Sequence, residues 1–329
     1  MKITLEHGSG GKATAGIINS IFARYFDNGI LRQMEDAAII EGSRRMAFTT
    51  DSFVVQPLFY DGGDIGRLCI CGTVNDLLAC GAKPEYLTCG FIIEEGAETE
   101  ELERIASSMK DCADEAGVMI VSGDTKVIEG KGGIMINTSG VGSVREGIEI
   151  SAAKIRKGDD IILSGNLGDH HAAILKNRMN IENDIKSDNA PLCEMTERLF
   201  ENGINIREMR DVTRGGLATV LREIADVSGA RIEISAESVP VDVQTKDFCS
   251  LLGLDPLYMG NEGKMVFFVP GEETEKALGI IRKSRYGQDA AVIGTVSSVD
   301  DKGQVLLHTS IGGVRSLDVL QGQGLPRIC

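Results

Sequence analysis

Between Thr14 and Phe26 the apolar residues Ile17, Ile18, Ile21, Phe22 and Phe26 recur at helical spacing, so the pattern predicts a helix directly after the glycine-rich opening. Residues 37–40 and 46–55 read as strands, 65–82 as a largely buried helix closed by Gly81, and 86–93 as another strand. Residues 98–116 predict an amphipathic helix with Thr99 as N-cap and acids in its first turn. Strands at 118–121 and 134–144 follow, and the polar stretch 145–160 has no strong period, which places a domain boundary near Lys154. The second half predicts strands at 160–163, 231–234, 265–269, 291–296 and 305–308, with helices around 171–176, 194–200 and 217–227. Strands and helices mix without regular βαβ units, so the expectation is an α+β fold with domains at 1–154 and 155–311. From Gly312 the chain reads GGVRSLDVLQGQGLPRIC, broken at Gly322, Gly324 and Pro326, and is expected to be a flexible tail over 312–329.

Composition narrows the function classes. The 329 residues suit two domains of ordinary size. Acids outnumber bases by 49 to 34, and the formal charge of -15 argues against nucleic acid and anionic membranes as partners. The opening MKITLEHGSGGK has no apolar signal core and no apolar run approaches the roughly 18 residues of a span, so the expectation is a cytosolic protein. The eight cysteines are then free thiols, and their spacing does not suit zinc. Cys69, Cys71, Cys80, Cys89, Cys112, Cys193 and Cys249 are expected in the core, whereas Cys329 ends a polar tail.

Two groups of residues carry candidate chemistry. The opening HGSGGKAT sets His7, Gly8, Gly10, Gly11 and Lys12 before a helix, where free N–H groups and the helix dipole favour an anion. It is not a Walker A loop, and it reads equally as a glycine turn, a mobile lid or a weak GxGxxA dinucleotide fingerprint. The second group is a set of aspartates in apolar or glycine-rich settings: Asp36, Asp51, Asp76, Asp124 and Asp211. Asp36, Asp124 and Asp211 also suit turns or caps. Asp76 resists that reading, because it sits in a helix among Val74, Leu77 and Leu78, where a carboxylate needs a cation or firm hydrogen bonds. Carboxylates converging from separate segments would suit magnesium beside a phosphate. His170 and His171 are expected as surface or capping residues.

Taken together, HGSGGK, EDAAII, TTDSF, VNDLLACGAKP, SGDTKV, DVTRGGLATVL and GNEGK, with PRIC at the end, closely resemble the HypE family of hydrogenase formation proteins. That family lies in the superfamily of aminoimidazole ribonucleotide synthetase, selenophosphate synthetase and thiamine-monophosphate kinase. The resemblance covers essentially the whole chain. It implies a two-domain, PurM-like α+β fold, a homodimer paired through the N-terminal domains, and ATP bound between the domains. It also implies Asp36, Asp76 and Asp211 as magnesium ligands, with Asp51 and Asp124 near the metal and phosphates. By the same resemblance, the segment from His7 to Lys12 is a lid over the nucleotide, and Asn75 and Asn261 are nucleotide contacts. The implied reaction is ATP-dependent dehydration of an S-carbamoyl group on Cys329 to a thiocyanate. A carbamoyltransferase, HypF, would load the thiol and the HypC–HypD complex would receive the cyanide for the hydrogenase iron.

The residue chemistry is compatible with that reaction. Phosphoryl transfer from ATP turns an amide oxygen into a leaving group, and a base removes the N–H protons. Glu262 in GNEGK is the candidate base, and Lys126 in GDTKV the candidate for stabilising the phosphoryl or orienting the carbamoyl group, although either also suits a solvated surface residue. Three competing readings stay open. A selenophosphate synthetase would need a reactive cysteine in the opening loop, which has none; a noncatalytic carrier would not need the aspartates, Lys126 and Glu262 together; and an NAD-dependent enzyme rests only on GxGxxA.

Overall fold

The computed structural model describes residues 1–8, 12–33, 37–300 and 302–320, and in it two sheets are each backed by helices. The helix predicted after the opening is built from α1 (Lys12–Ile17), a π turn (Ile18–Phe22) and α2 (Ala23–Tyr25). Then come β1 (Met46–Phe53), a ribbon of β2 (Phe59–Tyr60) and β3 (Gly63–Asp64), α3 (Ile65–Ala79), β4 (Ala82–Glu94), α4 (Thr99–Ala116), β5 (Met119–Ile128) and β6 (Ile134–Val144). The first sheet has the order β1-β6-β4-β5, parallel only between β4 and β5. Asp64 starts α3 by accepting from the N–H groups of Gly66 and Arg67 at 2.7 and 3.0 Å. A Cβ on Gly66 would lie 2.5 Å from the Ile105 carbonyl, so this glycine lets α3 and α4 touch backbone to backbone over one face of the sheet.

The second half contains β7 (Asp159–Leu163), α5 (Asp169–Met179), α6 (Cys193–Glu201), β8 (Glu208–Asp211), α7 (Gly216–Ser228), β9 (Ala230–Ser235), α8 (Val243–Leu252), β10 (Met265–Pro270), α9 (Thr274–Arg282), β11 (Ala291–Val299), β12 (Gln304–His308) and β13 (Val314–Leu317). Its sheet has the order β13-β12-β9-β11-β7-β10-β8. Every residue of β10 is buried, and its side chains alternate between two cores. Phe267 joins Leu68, Ile105, Met109 and Leu199 in a core shared with the first half, while Phe268 joins Leu217, Leu221, Ile232 and Val305 under α7. Among the described residues no helix is long and apolar enough to cross a membrane.

Several local expectations change. Residues 37–40 pair into neither sheet. The strand expected at 118–121 runs on to Ile128, because Gly123 lets β5 lie against β4; a Cβ there would be 2.5 Å from the Cys89 carbonyl. Asp124 is therefore a strand residue and closes no turn. The first four residues after Gly313 form edge strand β13 against β12, so the chain beyond Gly312 begins in the sheet. His170 and His171 are both buried inside the second half, not on its surface. Cys80 is exposed where α3 ends before Gly81, which has a left-handed φ of +72°, and so is not a core thiol. Gly10, Gly11, Asp36 and Cys329 lie outside the described residues.

Candidate functional site

Three elements bring carboxylates together where the two halves meet. Asp51 lies on β1, Asp76 on α3 and Asp211 at the end of β8. Gly72, one helical turn before Asp76, sets the spacing: a Cβ there would lie 2.8 Å from the Phe53 ring and 3.4 Å from Asp51 Oδ2, so α3 rides directly on β1. Thr49 Oγ1 donates to Asp76 Oδ2 at 2.8 Å, which answers in part how a buried helix tolerates this carboxylate. Burial followed by the charge of Asp76 pushes Asp211 up to about 7. The same two causes raise Asp51, and burial raises Asp76 against the pull of Thr49 and Arg210. Among the described residues no three His, Cys, Asp or Glu side chains close on one point as a ready metal cage. The cluster is an acidic wall whose nearest opposing charges are Arg210 and Arg214.

Glu262 faces this wall from the loop that precedes β10. It is 5% exposed, and burial, then Asp188, Asp211 and Asp51, drive its carboxyl far above the usual range against Arg214. Its loop is held by side chains and not by a sheet ladder. Asn75 Nδ2 donates to the carbonyls of Ala190 (3.0 Å) and Glu262 (3.4 Å), and Asn75 Oδ1 accepts from Leu192 N–H (3.0 Å). Asn261 Nδ2 donates to the carbonyls of Val212 and Met259, and its Oδ1 accepts from Gly168 N–H at 2.8 Å. Both asparagine amides are thus occupied by backbone. Asp188 Oδ1 accepts from Glu262 N–H at 3.0 Å, a residue the motif reading did not single out. The one sequence signal for it is an acid in the SDNAP stretch, which has no period to mark its burial.

Asp124 and Lys126 lie elsewhere. The register runs Asp124 on β5, Gly90 on β4, Asn137 on β6 and Ser52 on β1, so these four share one row and one face. That is the face away from α3 and α4, whereas Asp51 points to the helix side beside Gly72. Three strand spacings of ~4.8 Å put Asp124 about 14 Å across the sheet from Ser52. A single chain therefore does not bring Lys126 to Glu262. Lys126 and Asp124 are exposed and paired at 3.1 Å. His7 and Gly8 end a 3-10 turn against β5, where a Cβ on Gly8 would lie 2.7 Å from Val127 N, and Lys12 is exposed at the start of α1. Gly8, Phe22, Phe91, Asp124 and Lys126 line one cavity of about 310 Å³.

Comparison with known proteins identifies the family and the fold. Residues 34–144 match the N-terminal domain, and 156–306 the C-terminal domain, of the AIR synthase related proteins. The chain is 44% identical to carbamoyl dehydratase HypE of Rhodobacter capsulatus over all of this chain and 98% of that one. It is 46% identical to the Cupriavidus necator HypE, over 100% and 95%. A crystal structure of hydrogenase maturation protein HypE in complex with ATP superposes with a TM-score of 0.95 at 45% identity, covering 99% of each chain. HypE in a solved HypE–HypF complex superposes at 0.80 with 45% identity, covering 92% of this chain and 99% of that one. Thiamine monophosphate kinase of Aquifex aeolicus, 20% identical with a TM-score of 0.63 over 90% and 97%, shares the fold. With full-length identity at this level and both domain models matched in order, the chain belongs to the carbamoyl dehydratase HypE family of the AIR synthase related proteins.

Proposed function

We propose that this chain dehydrates an S-carbamoyl group on Cys329 to a thiocyanate at the expense of ATP, supplying cyanide for the iron of a [NiFe]-hydrogenase. The observation that carries the reading is the buried Glu262 carboxyl set against the wall of Asp51, Asp76 and Asp211 where the two halves meet. The carbamoyl oxygen takes the γ-phosphoryl group and leaves as phosphate. The C–O bond breaks, both N–H protons depart, and S–C≡N, ADP and phosphate remain. Glu262, whose proton affinity is raised by burial and then by the neighbouring acids, accepts an N–H proton in its ionised form. Asn75 and Asn261 serve the nucleotide site by fixing the loop that carries Glu262.

The convergence of Asp51, Asp76 and Asp211, carboxyls that burial and, for Asp51 and Asp211, the neighbouring acids raise, would suit a magnesium ion held by Asp76 and Asp211, with Asp36 as a further ligand. Bound there, the ion would neutralise triphosphate charge. The glycine segment from His7 to Lys12, with Gly10 and Gly11, closes over the nucleotide. Two copies pair through the open face of the first sheet, which exposes Phe48, Ile92 and Ile128. Pairing through that face would bring Asp124 and Lys126 of one protomer to the acidic wall of the other, where Lys126 meets the transferred phosphoryl. HypF would load Cys329 and a HypC–HypD complex would take the cyanide, in the cytoplasm, where the described cysteines stay free thiols. Intact mass of the carbamoylated protein with and without ATP tests the reaction. Loss of one water mass only with ATP is expected, and an unchanged adduct, or loading that survives Cys329→Ala, refutes it.

A further inference from the structure

Glu262 sits in a loop with no regular hydrogen-bond ladder, yet a proton acceptor must be held to a fraction of an ångström. The backbone on either side of it is gripped by one ion pair. Asp188 Oδ1 accepts from Glu262 N–H at 3.0 Å. Lys264 Nζ lies 3.0 Å from Asp188 Oδ2, an ionic contact out of line for a directed hydrogen bond, and donates to the Gly263 carbonyl at 3.3 Å. Both side chains are at least nine-tenths buried. The close fit is steric as well: a Cβ on Gly263 would sit 2.0 Å from the Asp188 carbonyl, and one on Gly165 would sit 3.2 Å from Lys264 Cε.

The mount beneath Asp188 is itself fixed. Ser187 N–H donates to the Asp61 carbonyl at 2.8 Å, Ser187 Oγ bonds His170 Nδ1 at 2.8 Å, and Asn189 Nδ2 donates to Tyr60 Oη at 3.0 Å. We infer that Asp188 and Lys264 are positioning residues for the dehydration: they clamp the Glu262–Gly263 backbone so that the Glu262 carboxyl faces the acidic wall. Lys264 sets its ammonium against the Asp188 carboxyl and ties the next peptide to the same point. Both side chains engage the Glu262–Gly263 backbone and each other, so their loss is expected to leave nucleotide binding unchanged. This inference rests on the reading of Glu262 as the base.

The test is single-turnover conversion of the S-carbamoyl protein across a range of Mg·ATP concentrations, which separates maximal rate from half-saturating ATP. The double variant Asp188→Ala/Lys264→Met removes the clamp without stranding a buried charge. Its maximal rate is expected to fall about 100-fold, the effect of displacing a reacting group by ~1 Å, with half-saturating ATP within twofold of the parent. Asp188→Asn keeps an acceptor for Glu262 N–H and is expected to recover most of that loss. A parental rate in the double variant overturns the inference, as does a rate loss matched by weaker ATP saturation. Should the double variant not melt cooperatively, Lys264→Met alone is measured: a rate at least 10-fold down at unchanged ATP saturation supports the clamp, and a parental rate overturns it. Glu262→Gln runs alongside. If it is as fast as the parent, the base assignment itself fails; if it is slow while the clamp variants are fast, only the clamp fails.

Discussion

Glu208 offers a test of the interface electrostatics that does not depend on turnover. It lies on β8, three residues before Asp211, and is 6% exposed. Burial pushes its carboxyl from 4.5 up to about 7, opposed by Arg210 and the Met209 N–H. The folded state therefore binds this proton more tightly than the unfolded chain. Below pH 4.5 both states are protonated and Glu208 carries no penalty. The penalty grows as pH rises through the window from 4.5 to about 7 and is complete above it. At about 1.4 kcal/mol per unit, the shift amounts to about 3 kcal/mol. Glu208→Gln keeps the shape and cannot ionise. It is expected to melt above the parent at pH 8.5, by roughly 5–10 °C for a domain of this size, and to match it near pH 4.5. Calorimetry or urea unfolding at the two pH values checks this. An equal difference at both would show that Glu208 titrates as in water and that the β8–α3 contact is wetter than its burial implies.

Three further outcomes are expected. Gly263→Ala puts a methyl 2.0 Å from the Asp188 carbonyl and 2.9 Å from Ala190 N, so the loop must move; a loss of about 1–3 kcal/mol in stability and of about 100-fold in dehydration is expected, and a parental rate would show that the loop has slack. Asp76→Ala or Asp211→Ala is expected to abolish magnesium-dependent ATP binding by calorimetry, and undiminished binding would remove these residues from the metal site. Phe48→Asp places a charge on an exposed apolar sheet face and is expected to halve the mass seen by light scattering and to stop dehydration; an unchanged dimer would move the interface elsewhere.

What the sequence made legible, and what it did not, divides along the range of the interactions. Asp76 stood out because a carboxylate among Val74, Leu77 and Leu78 violates helix periodicity, and the fold answers that violation with Thr49 and the meeting of the halves. Glu262 stood out only through GNEGK, a short motif in a loop. Nothing local marks Asp188, whose partner is 74 residues away and whose SDNAP segment has no period. His170 and His171 looked like surface residues because a short helix start does not reveal that both of its sides are covered. Asp124 looked like a turn because Gly123 precedes it, yet that glycine is there to let β5 lie against β4.

That last point bears on mechanism. Once β5 continues to Ile128, alternation fixes Asp124 and Lys126 on the open face, while Asp51 on the same sheet faces α3. The sequence assigns Lys126 and Glu262 to one reaction but does not say whether one chain brings both together. The strand register separates them within one chain, so the proposed use of both residues in one site calls for a second copy to supply one of them. The dependence of turnover on protein concentration below the dimer dissociation range is the direct consequence: first-order conversion at all dilutions in a protein that light scattering shows to be monomeric would exclude a shared site.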